Sequence, residues 1–358
     1  MIMDKVKVLV IFGGCSSEYD VSLQSAYSVI ENLDKKKYQV LLMGITREGK
    51  WYRYHGNVDR IPQGTWQEDL DHLRTAFISP ERGKHKIIEF YMGMMDETEF
   101  DIAFPVLHGK NGEDGTIQGL LTMAGIPIAG CGVLSSALCM DKDRAHKLVS
   151  LAGVKVPKSI VLHRQEADLP KFSLVAMVSE LKYPLFVKPI KAGSSFGITK
   201  IFNGAQLKEA IDLAFQFDDE VIVEEQIDGF EVGCAVMGND VLTVGEVDEI
   251  ELADGFFDYT EKYTLKTSSI HMPARIDSET AERIKKTAEI IYQALGCQGF
   301  ARVDMFLTPE KEIVFNEVNT IPGFTSHSRY PNMMKGIGVD FSILLDRVIQ
   351  LGLEIHNR

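Results

Sequence analysis

The chain has 358 residues, and at about 150 residues per domain this length predicts two to three domains. Apolar residues make up 45% and charged residues 25%, which argues against an intrinsically disordered chain. The 38 Lys and Arg against 51 Asp and Glu give a net charge of −13, which excludes an overall basic field for nucleic acid or an anionic membrane surface. An anionic ligand would need a local cluster of cations.

Cysteine usage and the apolar runs indicate the compartment. The chain has 5 cysteines, an odd number, and no Cys-x-x-Cys pair. This pattern is typical of a reducing cytosol and offers no zinc site. The apolar run near the N-terminus is too short for a signal peptide, and no later run reaches the ~18 apolar residues that span a bilayer. We therefore expect a cytoplasmic protein that binds neither membrane nor nucleic acid.

The first segment has the pattern of an α/β unit. Residues 6–12 form a continuous apolar run rich in β-branched residues, which predicts a strand buried on both faces. A pair of glycines ends this strand, and apolar residues at helical spacing then predict a helix. Residues 38–45 and 102–107 predict two further strands, the second followed by a polar turn and a helix. Residues 51–100 give no clear pattern.

The later segments alternate predicted strands and helices. The expected strands are residues 185–190, 198–202, 221–225, 232–237, 241–247, 300–307 and 312–319. One expected helix is capped by Asp141, another begins near residue 207, and a long one begins at Ser278 and closes at Gly296. The sequence thus predicts a mixed α/β chain without internal repeats.

The predicted hairpin of residues 300–319 carries the most informative polar residues. Because strand residues alternate between faces, Arg302 and Asp304 share one face. A four-residue turn would pair residue 302 with 317 and 304 with 315, which places Glu317 and Asn319 on that face. Asp304 and Glu317 would then be diagonal neighbours, with backbones roughly 7–8 Å apart, and their carboxylates could converge on one cation. Mg²⁺ is usually held by one or two carboxylates together with substrate phosphates.

The same hairpin face has a second interpretation. Its charges could pair across the strands in contact with solvent, which stabilises a sheet by ~0.2–1 kcal/mol per pair. Four large apolar residues are expected on this face, and they favour the metal site because they make the face partly apolar. They are Phe300, Phe306, Ile313 and Phe315.

A second motif combines a lysine with a glycine-rich turn. Lys188 falls inside an otherwise apolar strand, where an unpaired ammonium group is costly to bury. It must therefore reach the surface or meet an anion. The turn Gly193-Ser-Ser-Phe-Gly197 follows, and its backbone N–H groups and hydroxyls suit an anion-binding concavity. A glycine-serine turn alone is more often only a turn, but together with Lys188 it favours phosphate binding.

Three other stretches keep two interpretations each. His108 begins a polar turn before a helix N-terminus, which favours anions, or the turn is only a capped connection. Residues 319–324 could direct a backbone N–H at a developing oxyanion, or could merely end a strand. Residues 258–269 carry cations and little apolar content, and could form a mobile lid over an anion or an ordinary surface loop.

Four motifs occur in order along the chain. They are Leu107-His-Gly-Lys-Asn-Gly-Glu-Asp-Gly115, Val187-Lys-Pro189 with Gly193-Ser-Ser-Phe-Gly197, Arg302-Val-Asp304 and Asn316-Glu-Val-Asn-Thr-Ile-Pro-Gly323. This combination resembles the D-alanine–D-alanine ligases of the ATP-grasp superfamily, and the similarity runs from Val8 to about residue 350. The resemblance implies a mixed α/β, three-domain ATP-grasp fold with a Rossmann-like N-terminal domain.

The resemblance also implies domain limits and a two-step reaction. Residues 1–130 would bind the first D-alanine, residues 131–226 would form the central ATP-grasp subdomain, and residues 227–358 would carry the metal and second-substrate sites. ATP phosphorylates the carboxylate of the first D-alanine, and the amine of a second D-amino acid attacks the D-alanyl phosphate. A tetrahedral intermediate then releases phosphate and leaves a peptide bond for peptidoglycan precursor synthesis. Phosphoryl transfer of this kind depends mostly on positioning and charge neutralisation.

The cofactors implied by the resemblance are ATP and two Mg²⁺ ions, with Mn²⁺ as a substitute, and the implied assembly is a homodimer. The residues that would bind ATP are Lys142, Lys188, Ser195, Glu224, Ile227, Glu231 and Lys262. Among these, Lys142 and Lys188 would hold phosphates, and Lys262 would approach from the lid. The metal ions would be held by Asp304, Glu317 and Asn319. Arg302 and the Gly323 N–H would stabilise the oxyanion.

The resemblance assigns the substrate-binding residues in the same way. Glu18 would bind the ammonium group of the first D-alanine, with His108 nearby. Glu18 would also form a hydrogen-bonded set with Ser194 and Tyr263 that closes the site. Ser328 would meet the carboxylate of the second amino acid.

The predicted pocket for the second substrate departs from plain D-alanine–D-alanine ligases, which commonly carry an aliphatic residue where Arg329 stands. Arginine there resembles the glycopeptide-resistance ligases, whose lactate-forming type lacks the tyrosine–lysine lid of residues 258–263. Arg329 together with Phe257 and Asp248 is most similar to the G-type D-alanine–D-serine ligases, which implies D-serine as second substrate and a role in vancomycin resistance. Asp248 or Arg329 could hydrogen-bond the serine hydroxyl, and such groups penalise a ligand that leaves them unpaired.

Two alternatives remain at this point. The chain could be an ordinary housekeeping ligase whose second substrate is D-alanine. It could also be a non-catalytic nucleotide-binding module that kept the fold, although its intact set of Arg302, Asp304, Glu317 and Asn319 argues against that interpretation.

Overall fold

The computed structural model describes residues 5–166, 169–193, 196–252 and 268–357. The described strands form three sheets that follow one another along the chain. The sequence predicts this alternation of strands and helices, whereas the domain limits at residues 130 and 226 stay predictions. None of the described helices has the length and apolar character needed to cross a membrane.

The first sheet contains the N-terminal strands. They are β1 (Val6–Gly13), β2 (Tyr38–Ile45), β3 (Trp51–Tyr54), β4 (Leu73–Ile78), β5 (Lys86–Tyr91), β6 (Met94–Glu99) and β7 (Ile102–Val106). Their order is β6-β5-β4-β3-β2-β1-β7, with β1 parallel to both of its neighbours. Helices α1 (Tyr19–Asn32) and α2 (Thr116–Met123) follow β1 and β7, and short 3-10 helices occupy Val58–Arg60, Trp66–Glu68 and Leu70–His72.

The second sheet is antiparallel and carries Lys188. Its strands are β8 (Ser159–His163), β9 (Leu185–Pro189), β10 (Thr199–Ile201) and β11 (Glu220–Glu225), in the order β10-β9-β11-β8. The helices of this stretch are α3 (Val133–Met140), α4 (Lys142–Leu151), α5 (Lys171–Met177) and α6 (Leu207–Ala214), with a 3-10 helix at Arg164–Glu166.

The third sheet is also antiparallel and carries most of the predicted site. Its strands are β12 (Phe230–Gly238), β13 (Leu242–Leu252), β14 (Ser268–His271), β15 (Phe300–Leu307) and β16 (Ile313–Asn319), in the order β14-β13-β12-β15-β16. Helix α7 (Ser278–Ala294) precedes the last hairpin, and α8 (Arg329–Gly336) and α9 (Phe341–His356) follow it.

Burial explains why β1 has no polar alternation. Val8, Val10 and Phe12 pack in one core cluster, while Leu9 and Ile11 pack in another on the opposite face. Both faces of the strand are therefore covered, as the continuous apolar run predicts for a parallel strand.

The register of the last hairpin differs from the prediction. Asp304 lies directly opposite Glu317, and Arg302 lies opposite Asn319. The cause is a β-bulge after Asp304: Met305 pairs with Phe315, so the register shifts by one residue of β16. Directly opposed residues have Cβ atoms about 5 Å apart, so Asp304 and Glu317 lie closer together than the predicted diagonal neighbours.

The bulge also corrects the predicted face of Phe315 and Ile313. Phe315 packs with Val303 and Met305 in the core, and Ile313 packs against the same cluster. Phe300 belongs to a second core cluster. Only Phe306, of the four residues expected beside the carboxylates, lines the large cavity described below.

Candidate active site

Two cavities adjoin each other, the larger between the second and third sheets and the smaller where Glu18 and Glu113 approach the end of β16. The larger, of about 590 Å³, has the size usual for a small-molecule site. Its lining includes every described residue that was predicted to bind ATP, namely Lys142, Lys188, Glu224, Ile227 and Glu231. The smaller, of about 40 Å³, is lined by Glu18, Gly193 and Asn319 among others. Lys142 and Glu317 line both cavities, so the two meet at a cation and a carboxylate.

Several predicted residues cannot be placed. Ser194, Ser195, Phe257, Lys262 and Tyr263 lie outside the described residues, as does most of the predicted lid. Their assigned roles stay predictions.

Lys142 is held at the first turn of α4. Asp141 caps this helix by accepting a hydrogen bond from the Arg144 N–H at 3.0 Å, as the sequence predicts. The Lys142 ammonium donates to the Ala192 carbonyl at 2.9 Å, which ties it to the glycine-rich turn. A helix N-terminus and a lysine thus meet beside that turn, an arrangement that favours phosphate groups.

Replacing Asp141 with alanine is expected to lower the free energy of unfolding by about 1 kcal/mol, because the helix loses its N-cap. Asp141→Asn is the matched control, since asparagine is an equally good cap without the charge. Urea unfolding of both variants measures the difference. A loss as large in Asp141→Asn would assign the effect to the lost charge and contradict the capping explanation.

Lys188 meets an anion rather than solvent. Its ammonium group lies 2.6 Å from Glu224 Oε2, and the lysine side chain is 12% exposed. Burial would raise the pKa of Glu224, but Lys188, His146 and Lys142 outweigh it and lower that pKa. Glu224 Oε1 has no hydrogen-bond partner among the residues described and lies 3.7 Å from His146 Nδ1.

One row of residues crosses four strands of the third sheet. Asp248 on β13 lies opposite Gly233 on β12, which lies opposite Asp304 on β15, which lies opposite Glu317 on β16. A Cβ at Gly233 would come within 2.2 Å of the Arg329 guanidinium, so the absence of a side chain admits the arginine. Gly233 was missed from the sequence because its role depends on the register of three strands.

Arg329 fills the gap in this row. Its Nε and Nη2 donate to the two oxygens of Asp248 at 2.7 and 2.8 Å. Its Nη1 donates to Glu231 at 2.9 Å and lies 3.4 Å from Asp304. Asp248 and Arg329, the two residues predicted to recognise a serine hydroxyl, therefore form a buried, bidentate ion pair. Glu231, which also accepts a hydrogen bond from Arg329, lines the large cavity.

Asp304 is held as a carboxylate. Arg302 donates to it through Nε at 2.8 Å and Nη2 at 2.7 Å, and Asn319 donates through Nδ2 at 2.9 Å. Burial would raise the pKa of Asp304, but the Arg302 and Arg329 guanidinium groups outweigh it and hold that pKa below its usual value. The oxygen remains charged at neutral pH, as a hard cation requires.

The residues on this face fit a divalent cation. Within the described ranges no cluster of three His, Cys, Asp or Glu side chains occurs, so a metal site built from such ligands alone is not found there. Asp304, Glu317 and Asn319 instead offer two carboxylates and an amide on one face, the last two beside the cavities. This set is short of ligands by itself and suits Mg²⁺, which takes substrate phosphates and water in addition.

Glu18 lies close to two turns, one containing Gly109 and the other Gly193. A Cβ at Gly109 would come within 2.4 Å of Glu18 Oε2, and one at Gly193 would come within 3.0 Å. Glu18 is buried and lines the small cavity. Its carboxylate therefore offers a negative charge to the small cavity.

Ser328 and Gly323 lie next to each other just before α8. Ser328 directly precedes α8, but its side chain does not cap the helix; its hydroxyl oxygen instead accepts the Thr325 N–H at 3.0 Å. A Cβ at Gly323 would come within 2.9 Å of this oxygen, so the two residues are close neighbours. His108, predicted to lie near the first D-alanine, is buried and bonds the Ile321 carbonyl of the same turn.

Comparison with protein families gives two matches. A family described as D-ala D-ala ligase N-terminus matches residues 7–131, and one described as D-ala D-ala ligase C-terminus matches residues 148–350. The chain is 43% identical over 354 residues to a D-alanine–D-alanine ligase of Caldicellulosiruptor bescii, which covers 98% of the chain and 96% of that relative. It is also 43% identical to the vancomycin B-type resistance protein VanB of Enterococcus faecalis, over 98% of the chain and 100% of that relative.

Solved structures agree with these relatives. The VanG D-Ala:D-Ser ligase from Enterococcus faecalis is 59% identical, with a TM-score of 0.90, over 98% of this chain and 100% of that one. The D-alanine-D-alanine ligase from Coxiella burnetii is 28% identical, with a TM-score of 0.87, over 99% of this chain and 95% of that one.

Proposed function

The chain belongs to the D-alanine–D-alanine ligase family, and from that premise we propose that its second substrate is D-serine. The mixed α/β ATP-grasp fold predicted from the sequence is confirmed. The chain is an ATP-dependent ligase that joins D-alanine to a second D-amino acid in cell-wall precursor synthesis. The alternative of a non-catalytic binding module is therefore set aside.

The observation that supports the ligase chemistry is the meeting of the two cavities at Lys142 and Glu317. A nucleotide in the large cavity would direct its terminal phosphate toward this junction, and the carboxylate of D-alanine would approach it from the Glu18 side. Lys142 would neutralise phosphate charge, and Glu18 would hold the ammonium group so that the carboxylate faces the phosphate. Positioning of this kind supplies most of the catalysis in phosphoryl transfer.

The cofactors are ATP and a divalent cation, as the family requires. We propose that Asp304, Glu317 and Asn319 hold two Mg²⁺ ions, with Mn²⁺ as a substitute. Bound there, the cations would neutralise the charge that develops on the transferred phosphate. Arg302 would keep Asp304 ionised and, with the Gly323 N–H, would stabilise the oxyanion formed when the amine attacks.

The case for D-serine rests on the second-substrate pocket. The Arg329–Asp248 ion pair places charged hydrogen-bonding groups beside the row that contains Asp304. A serine hydroxyl can form a further hydrogen bond with such charged groups, whereas the methyl group of D-alanine can form none. The VanG D-Ala:D-Ser ligase, which is 59% identical to this chain, supports the same substrate. This specificity would give the chain a role in vancomycin resistance.

Two further features belong to the proposal. We propose a homodimer in the cytoplasm, in line with the family and with a chain whose 5 cysteines are free thiols. The elution volume of the purified protein in size-exclusion chromatography with light scattering measures the assembly. A monomer at micromolar concentration would contradict the homodimer.

Competition between second substrates tests the assignment. With D-alanine fixed as first substrate, equal concentrations of D-serine and labelled D-alanine are supplied, and the two dipeptides are separated. We expect the D-alanyl-D-serine product to dominate at neutral pH. A preference for D-alanine of about tenfold or more, equal to ~1.4 kcal/mol of transition-state discrimination, would make the chain an ordinary D-alanine–D-alanine ligase.

A further inference from the structure

A chain of hydrogen bonds ties α1 to the turn that carries Gly323. Phe324 N–H donates to Ser25 Oγ at 3.3 Å, and Ser25 Oγ lies 3.0 Å from His108 Nε2. The other ring nitrogen, His108 Nδ1, lies 2.8 Å from the Ile321 carbonyl oxygen. The chain of bonds thus starts and ends on the same turn, on either side of Gly323.

For a neutral His108 ring, chemistry fixes the direction of each of these hydrogen bonds. The Ile321 carbonyl can only accept, so His108 Nδ1 carries the hydrogen. In the neutral ring Nε2 is then an acceptor, and the Ser25 hydroxyl donates to it. The Ser25 oxygen is left as the acceptor for the Phe324 N–H. The serine hydroxyl uses its hydrogen for the histidine and its oxygen for the turn.

A second contact fixes the same turn from the first sheet's side. Glu113 accepts the Ile321 N–H at 3.1 Å and the Gly109 N–H at 2.8 Å. Ile321 therefore has its N–H bonded to Glu113 and its carbonyl bonded to His108. Phe324 has its N–H bonded to Ser25. The two residues of the turn between them, Pro322 and Gly323, are held at both ends.

We propose that Ser25 is a positioning residue for ligation, because its hydroxyl fixes the turn from which the Gly323 N–H points at the oxyanion. This inference rests on the proposed function, which assigns the oxyanion role to Gly323. Ser25 itself touches neither cavity in the part of the chain described. It acts through Phe324 and His108. Nothing in its local sequence distinguishes Ser25 from the other serines of α1.

The test replaces Ser25 with alanine and measures both halves of the reaction. Loss of the hydroxyl frees the Phe324 N–H and lets the turn shift, and a displacement of about 1 Å can reduce a rate by up to ~100-fold. We expect kcat for dipeptide formation to fall at least about tenfold, with the KM for ATP within about twofold. Positional isotope exchange in oxygen-labelled ATP, measured with D-alanine and without D-serine, should change less than ligation does, because it requires only the first step.

Ser22→Ala is the matched control. Ser22 lies on the same helix, is 0% exposed like Ser25, and its hydroxyl also makes two hydrogen bonds, to the Gly13 N–H and the Val106 carbonyl. It measures what the loss of a buried hydroxyl does to the fold without touching the turn. Ser25→Cys, which keeps a weak donor in a similar volume, should recover part of the ligation rate.

The outcomes separate this inference from the proposed function. A selective loss of ligation in Ser25→Ala, absent in Ser22→Ala, supports the positioning role. An equal loss in both variants, or a loss confined to the KM for ATP, overturns it. If the wild-type enzyme forms no dipeptide in the same assay, the proposed function fails and the inference fails with it.

Discussion

Glu317→Gln is expected to reduce ligation by about 100-fold or more. A metal ion supplies several kcal/mol of charge stabilisation to a phosphoryl transition state, and glutamine removes one of the two carboxylates that would hold it. Glu317 lies at the junction of both cavities, directly opposite the buried Asp304, where a neutral amide cannot replace its charge. The variant should fold, because Glu317 is half-buried at a cavity wall and the apolar core beneath it is unchanged.

The measurement is the steady-state rate of phosphate release as a function of Mg²⁺ concentration, at saturating ATP and D-amino acids. Glu312→Gln is the control, because Glu312 lies in the same hairpin but pairs with Lys155 on an exposed surface. We expect that control to match the wild-type enzyme. Unchanged turnover of Glu317→Gln at limiting Mg²⁺ would contradict a metal-binding role for this carboxylate.

The parts of the fold that could be predicted are those set by local pattern. The buried run of β1 and the strand Tyr38–Ile45 follow from hydrophobicity alone, and the helix capped by Asp141 follows from a single side chain. Strand β6 (Met94–Glu99) could not be predicted, because it lies at the sheet edge with almost every residue exposed. Without a buried face a strand has no alternation of apolar and polar residues.

The site was predictable as a set of residues but not as a geometry. Alternation along β15 indicates that Arg302 and Asp304 share a face, and the structure pairs them directly. The distance between Asp304 and Glu317 was wrong, because a bulge shifts the register of β16 by one residue and turns Phe315 into the core. Bulges insert a residue without a strong local sequence signal, so a simple count from the turn misses them.

Long-range contacts account for the residues that sequence reasoning missed. Gly233 matters only because β12 lies between β13 and β15, which allows Arg329 to approach the strand. Ser25 matters because α1 lies beside a turn about 300 residues further along the chain. A window of neighbouring residues shows neither the order of the strands in a sheet nor which distant segments pack together.

Arg329→Leu is expected to reduce the use of D-serine about tenfold more than the use of D-alanine. The guanidinium group holds Asp248 by two hydrogen bonds and Glu231 by a third, so its loss removes a cation from the proposed hydroxyl-binding pocket. A buried serine hydroxyl left without a hydrogen-bond partner costs ~1–3 kcal/mol. D-alanine carries no hydroxyl, so only the D-serine complex would incur this cost. The ratio of kcat/KM for the two amino acids measures the effect directly.

Arg329→Leu is also expected to lower the stability of the folded protein. Removing one partner of a buried ion pair leaves a buried charge and destabilises a protein by ~3–5 kcal/mol, whereas replacing both partners by apolar residues is often neutral. The pair Arg329→Leu with Asp248→Leu should therefore be more stable to urea than Arg329→Leu alone. Arg329→Lys keeps the charge but loses the bidentate geometry, and should retain the fold with intermediate selectivity. An equal loss for D-serine and D-alanine in every variant would mean that Arg329 recognises only a feature that the two amino acids share, and the specificity would then depend on other residues.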